Sequence, residues 1–216
     1  MMTNLNSFLR GKGCYSVDMV TPDCVPGCLL KIHYFWRPGD FWAESVLLGQ
    51  MGSLVGLPGI PALTTVSQPS SFLIDNVTDQ FSISPAASLP QFGLTASGNL
   101  ATSTTVTLNI SSIKTVIFDA ASLDRVNTAV LPQLSALSKT APYRWLQDCF
   151  LVKQAYFVSA LSATVHTAGQ VAGQAAFQQA GITASGGMAL NWSNENNFQL
   201  VGDTTVPFAV SGYGLG

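Results

Sequence analysis

The sequence predicts an α+β domain rich in strands and poor in helices. Three observations carry that expectation. Apolar and polar residues alternate with a period of two in several stretches. Helical spacing recurs in only a few places. Long tracts of Ser, Thr, Ala and Gly contain no Lys, Arg, Asp or Glu at all. With 216 residues the chain is long enough to bury a core unaided, and it reads as one domain spanning 1–216.

The elements follow in chain order. Leu5, Phe8 and Leu9 have i, i+3, i+4 spacing, and Gly11 and Gly13 should stop that short helix. Residues 46–63 carry no charge, which raises the question of a membrane-spanning helix. Gly49, Gly52, Gly56, Pro58, Gly59 and Pro61 would break it repeatedly, so the expectation is a mobile apolar loop. Val77, Phe81 and Ile83 alternate with Thr78, Gln80 and Ser82 as in a strand. Val106, Leu108 and Ile110 then alternate with Thr105, Thr107, Asn109 and Ser111. The Ser111-Ser112 pair puts Ile113 and Ile117 on the other parity, as a β-bulge would.

A second helix is signalled by Leu123, Val126, Val130, Leu134 and Leu137, with Ser122 as its N-cap and Pro132 expected to kink or split it. Residues 150–166 are rich in β-branched and aromatic residues, and Leu161, Ala163 and Val165 alternate with Ser162, Thr164 and His166. The stretch 166–179 suits either helix or strand. Strands at 182–192 and 198–210 complete the list, with Pro207 at an edge or a strand end.

Charge narrows the function. Only 9% of residues are charged, against about 25% in an ordinary soluble domain. A net charge of −2 and a pI of 5.5 argue against a nucleic-acid partner, which asks for a basic face. The order of residues 1–13, with Arg10 and Lys12 behind the apolar residues, is the reverse of a signal peptide and predicts a cytoplasmic protein. Charge is absent from 45–74, from 80–113 and from 154–194. Such segments suggest surfaces that tolerate both water and lipid.

Enzyme signatures are missing from the sequence: no Gly-x-Ser-x-Gly elbow, no phosphate loop ending in Gly-Lys, no His-Glu metalloprotease pair. No enzyme activity and no cofactor are expected. Cys24, Cys28 and His33 lack a fourth metal ligand at a usual spacing and read as a structural turn, and His166 reads as a solvated or turn residue. The small-residue pairs Gly52/Gly56 and Gly169/Gly173 lie in no unbroken apolar run.

Several short motifs, in order, look like bacterial gasdermins. Phe8-Leu9, Gly13-Cys14-Tyr15-Ser16-Val17, Pro22-Asp23 and Pro26-Gly27-Cys28-Leu29-Leu30 resemble the family's opening. Ile117-Phe118-Asp119, Leu123-Asp124-Arg125-Val126 and the strand at 150–165 follow in the family's order. Gly186-Gly187, Asn191-Trp192-Ser193-Asn194, Gly202 and Val206-Pro207-Phe208-Ala209-Val210 resemble its end. The resemblance implies a twisted, mainly antiparallel sheet with a few helices, able to refold into transmembrane β-hairpins. It implies self-association into a closed ring pore, because lipid leaves an open strand edge without partners. Membrane lipids, anionic ones in particular, are the implied partners, with an activating protease or a second gasdermin-like chain as the trigger. The implied outcome is membrane permeabilisation in cell death or defence, the protein being cytoplasmic while inactive and at the membrane when assembled. The family's lipidated Cys near the N-terminus has no counterpart in residues 1–13, and only 211–216 follow the last expected strand, where the family carries an inhibitory segment.

The expected membrane hairpins are 80–113 and 154–194, with Val106, Leu108, Ile110, Leu161, Ala163 and Val165 toward lipid. Arg10, Lys12, Lys31 and Arg37 are the expected headgroup contacts. Cys14, Cys24, Cys28 and Cys149 allow three fully bonded intrachain pairings, with interchain bonds equally open, whose reduction would act as a trigger, or they are four buried thiols. The competing reading is a non-enzymatic structural β-protein of capsid or adhesin type, whose polar uncharged strands merely pack two sheets.

Overall fold

The computed structural model describes residues 9, 11–16, 24–35, 44–70, 79–82, 94–96, 105–166, 177–179, 189–201 and 207–216. Two long antiparallel strands organise it. β7 (Thr105–Phe118) runs beside β8 (Cys149–His166), in register from Thr105↔His166 to Ile117↔Gln154. The outer edge of each is taken by short strands placed end to end. On β7 these are β4 (Thr65–Ser70), along 113–118, and β5 (Asp79–Ser82), along 105–108. On β8 they are β12 (Ala209–Gly214), along 150–156, and β11 (Asn197–Val201), along 160–164.

The remaining strands extend this frame. β1 (Tyr15–Ser16) pairs with β12, and β10 (Ala189–Asn194) with β11. β2 (Cys28–Phe35) meets β8 at 149–151 and pairs with β3 (Glu44–Ser53). β6 (Leu94–Ala96) and β9 (Phe177–Gln179) form a separate two-stranded sheet. Every pairing among the described residues is antiparallel, and the fold is α+β. No helix among them is long and apolar enough to cross a membrane.

Bulges decide which residues share a side. The one expected at Ser111-Ser112 is present: Ile110↔Leu161 is followed by Ser112↔Ala160 and Ile113↔Val158, leaving out Ser111 on β7 and Ser159 on β8. A second lies where Ser211↔Gln154 is followed by Gly212↔Val152, so that Lys153 is the extra residue. It reverses the parity of β8. Phe150 and Val152 before it, and Ala155 and Phe157 after it, all enter one core with Cys24, Cys28, Leu30 and Val210. The opposite core gathers Leu29, Cys149, Leu151 and Phe118 with Val126, Val130, Leu134 and Leu146. β8 is therefore apolar on both parities here, as a strand covered on both sides must be.

The helical segment comprises α1 (Ala120–Arg125), a π turn at Val126–Val130 and α2 (Leu131–Leu137). Pro132 splits it as expected. The π turn sends the Leu131 N–H to the Val126 carbonyl, one residue farther back than in an α-helix, which accommodates a ring that cannot donate. Ser122 is not the N-cap. Asp119 caps the helix, accepting from the Ser122 N–H at 2.7 Å, while the Ser122 hydroxyl accepts from the Thr64 N–H at 2.9 Å.

Other expectations need correction. The apolar loop expected at 46–63 is strand as far as Ser53, followed by a 3₁₀ turn at Leu54–Gly56. Gly49 and Gly52 sit at bulges rather than breaks, since Leu29↔Gly52, Leu30↔Gln50 and Lys31↔Leu48 leave out Met51 and Gly49, whereas 57–63, with Gly59 at φ +76°, is loop as expected. The strand expected at 198–210 is two strands, β11 and β12, with 202–206 outside the described residues. Of 182–192, only 189–192 is described; it is strand. Of 166–179, His166 ends β8 and 177–179 is strand, with 167–176 outside. Leu5, Phe8, Val77 and Ile83 also lie outside. Leu9 and Gly11 are helical, and the N–H groups of Lys12 and Cys14 both reach the Leu9 carbonyl. Gly13, at φ +73°, supplies the left-handed residue that ends this turn.

Candidate functional site

The six residues expected to face lipid come from two strands far apart in sequence, and the fold registers them against one another. Val106 pairs with Val165, Leu108 with Ala163 and Ile110 with Leu161. Opposed residues lie on the same face of a sheet, so these are three apolar rungs. Neighbouring strands extend them. Phe81 joins Val106 and Val165; Phe198 and Trp192 join Leu108 and Ala163; Leu200 and Leu190 join Ile110 and Leu161.

The alternate rungs are polar and uncharged: Ser82–Thr105–His166, Gln80–Thr107–Thr164–Asn197–Asn194 and Asn109–Ser162–Gln199–Asn191. The Thr164 hydroxyl bonds the Asn197 side-chain oxygen at 2.6 Å, linking β8 to β11. Asn194 Oδ1 accepts from the N–H groups of Asn196 and Asn197 and from the Asn197 amide, at 2.8–2.9 Å, and fixes the turn between β10 and β11. Sequence reasoning missed this turn, although Asn194-Glu195-Asn196-Asn197 between two apolar alternations signals it.

The two charge-free segments are organised differently. In 80–113, the arms β5 and β7 pair directly, as a hairpin does. In 154–194, β8 does not pair with β10, because β11 lies between them. The two segments also pair with each other, through β6 and β9.

Of the expected headgroup residues, Lys12 and Lys31 are exposed, and Arg10 and Arg37 lie outside the described residues. Lys12 lines an open pocket of about 370 Å³ together with Lys153, Gln154, Tyr156, Ser211 and Gly212. Lys153 was not foreseen. It is the extra residue of the β8 bulge, and its ammonium lies 5.6 Å from the centre of the Tyr213 ring.

All four cysteines are buried and carry reduced thiols. Cys24 and Cys28 belong to one core and Cys149 to the other, so the sheet separates them. The Cys149 thiol donates to the Trp145 carbonyl at 3.3 Å. Burial pushes its pKa up to about 11, with the Asp148 carboxylate adding and Lys31 opposing. Burial also raises Cys14, against a hydrogen bond from Tyr156, and Tyr156 is raised chiefly by its own burial and then by Cys14. At neutral pH these thiols are protonated and poor nucleophiles. Among the described residues, no three or more His, Cys, Asp or Glu could hold a metal ion.

No protein-family model and no curated protein matches the chain. Among solved structures, it is similar to a bacterial gasdermin from Bradyrhizobium tropiciagri, with 15% identity, a TM-score of 0.47, and coverage of 94% of this chain and 82% of that one. It is also similar to the gasdermin A3 membrane pore, with 11% identity, a TM-score of 0.38, and coverage of 98% and 89%.

Proposed function

We propose that the chain is a single gasdermin-like domain that forms membrane pores and is not an enzyme. Copies oligomerise on an anionic membrane, extend 80–113 and 154–194 as β-hairpins, and pair until the ring closes. The observation that carries this reading is the register of Val106, Leu108 and Ile110 with Val165, Ala163 and Leu161, between rungs that are polar yet uncharged. A strand that crosses a bilayer needs roughly 9–11 residues, apolar on one side and wettable on the other. β7 has 14 residues and β8 has 18. A charge at midplane would cost roughly 2–4 kcal/mol for Arg or Lys, so strands that lack it enter at lower cost.

In this reading Arg10, Lys12, Lys31 and Arg37 meet the headgroups. The protein is cytoplasmic until a protease or a second gasdermin-like chain activates it, and permeabilisation serves cell death or defence. The test is dye release from anionic liposomes. Leu108→Asp and Leu161→Asp should each lower leakage per folded molecule at least tenfold. Leu161→Asp should leave the melting temperature of the soluble protein nearly unchanged, whereas Leu108→Asp, set opposite Asp79, should lower it. Undiminished leakage from both variants would show that these strands do not insert. Ordered assemblies of the wild type that never release dye would favour a structural β-protein.

A further inference from the structure

The part of the sheet formed by β5, β7, β8, β11 and β10 ends in two strands, β5 and β10, each paired on one side only among the described residues. The two edges are not alike. β10 reads Ala-Leu-Asn-Trp-Ser-Asn, without a proline or a charge. β5 contains Asp79, in register with Leu108 and so on the rung that continues through Ala163, Phe198 and Trp192. It is the only Asp, Glu, Lys or Arg on any of the six rungs. β4, on the same side of β7, contains Pro69 opposite Lys114, and proline has no N–H to offer an incoming strand.

A strand that added to β5 in register would place a residue about 5 Å from Asp79, Cβ to Cβ, on the side where every other rung residue is apolar. A charge on the apolar side of an edge strand is a recognised barrier to edge-to-edge association. β10 has the matching alternation, with Leu190 and Trp192 on the apolar rungs and Asn191 and Asn194 on the polar ones. An uncharged edge and a guarded edge on one sheet are complementary between copies, head to tail, and blocking one of them suffices.

We propose that Asp79 is a charge lock on the β5 edge, which keeps that edge from taking a strand of a second copy of this chain before the membrane is reached. The proposal rests on the pore-forming reading and adds a residue that times assembly. It is tested without lipid, by sedimentation velocity and cross-linking of the purified chain. Asp79→Asn and Asp79→Thr, two neutral residues of different shape, should self-associate at least tenfold faster than wild type. Asp79→Lys keeps a charge on the rung and should stay as slow as wild type, as should Asp124→Asn on the exposed side of α1. Neutral variants no faster than wild type, or a lysine variant as fast as the neutral ones, would overturn the lock. Dye release separates the two readings. Fast association of the neutral variants with no leakage from any protein leaves the lock standing and removes the pore. Leakage by wild type with unaltered association of the variants does the reverse.

Discussion

The base and the tip of the β7–β8 ribbon are made from the same two strands and follow different rules. At the base, Ala155, Tyr156, Phe157 and Val158 are buried in succession, and two cores grip the sheet from opposite sides. At the tip, apolar and polar pairs of β7 and β8 alternate as far as Thr105↔His166, and Asp79 of β5 is the one charge set against an apolar pair among the described residues. The bulge at Ser111 and Ser159 marks the boundary. Charge divides in the same way. Among the described residues, every Lys and Arg lies in the base or its helices, and the tip's charges are Asp79 and Glu195. A strand buried on both sides cannot be moved without dismantling two cores. A strand with one apolar side can exchange whatever covers it for lipid, keeping its polar side wet. The base is thus built as a platform and the tip as the part able to change surroundings.

Substitution of Gly212, in the base, should have the largest effect. A Cβ there would collide with the backbone carbonyl of Leu151, across the bulge that sets the parity of β8. Backbone cannot step aside as a flexible side chain does, so Gly212→Ala should abolish cooperative melting or soluble expression. A well-folded Gly212→Ala protein would mean that the base is far more plastic than its two cores suggest.

A smaller effect tests the division of charge. Lys12 and Lys31 are exposed at the base, and each cation near an anionic surface is worth about 1 kcal/mol. Lys12→Glu with Lys31→Glu should weaken co-sedimentation with anionic vesicles at low salt by more than tenfold. The difference should shrink as salt rises, since exposed charges are screened over about 10 Å at 0.1 M. Binding that is unchanged at low salt would detach the base from the headgroups.

The tip was more legible than the base, for a physical reason. One apolar parity produces a visible period of two, so β7, β8 and the Ser111-Ser112 bulge could all be read from residues. The base hides its period, because both parities of β8 are apolar there, and the Lys153 bulge leaves no signature in hydropathy. β3 was read as a loop because Gly49 and Gly52 look like breaks until their bulged register is known. Asp79 lies just outside the charge-free stretch 80–113, but its rung is a property of pairing and not of the local sequence. At the helix start, Asp119 and Ser122 are both good caps. The fold gives the position to Asp119 because the Ser122 hydroxyl is occupied by the Thr64 N–H.

That cap supplies the finest test, since it ties the base together without touching the tip. The Thr64 hydroxyl donates to the Asp119 carboxylate, as does the Ser122 N–H, joining the approach to β4 to the start of α1. These bonds, the Thr64 hydroxyl first, hold the Asp119 pKa below its ordinary 3.8, outweighing a small opposing contribution from burial. A carboxylate whose folded pKa is depressed contributes stability that is fully present above the unfolded value and is lost as pH falls through the folded one. The window therefore lies below about pH 4, and at neutral pH the contribution is constant. Asp119→Asn removes the titration, so its melting temperature should fall less steeply with acid than that of the wild type across this window. At neutral pH the variant should melt slightly lower, for loss of the charged cap, with dye release per folded molecule unchanged. Equal acid slopes in the two proteins would mean that the clasp does not hold the carboxylate in its charged form. Impaired dye release at full stability would mean that the base takes part in the rearrangement assigned to the tip.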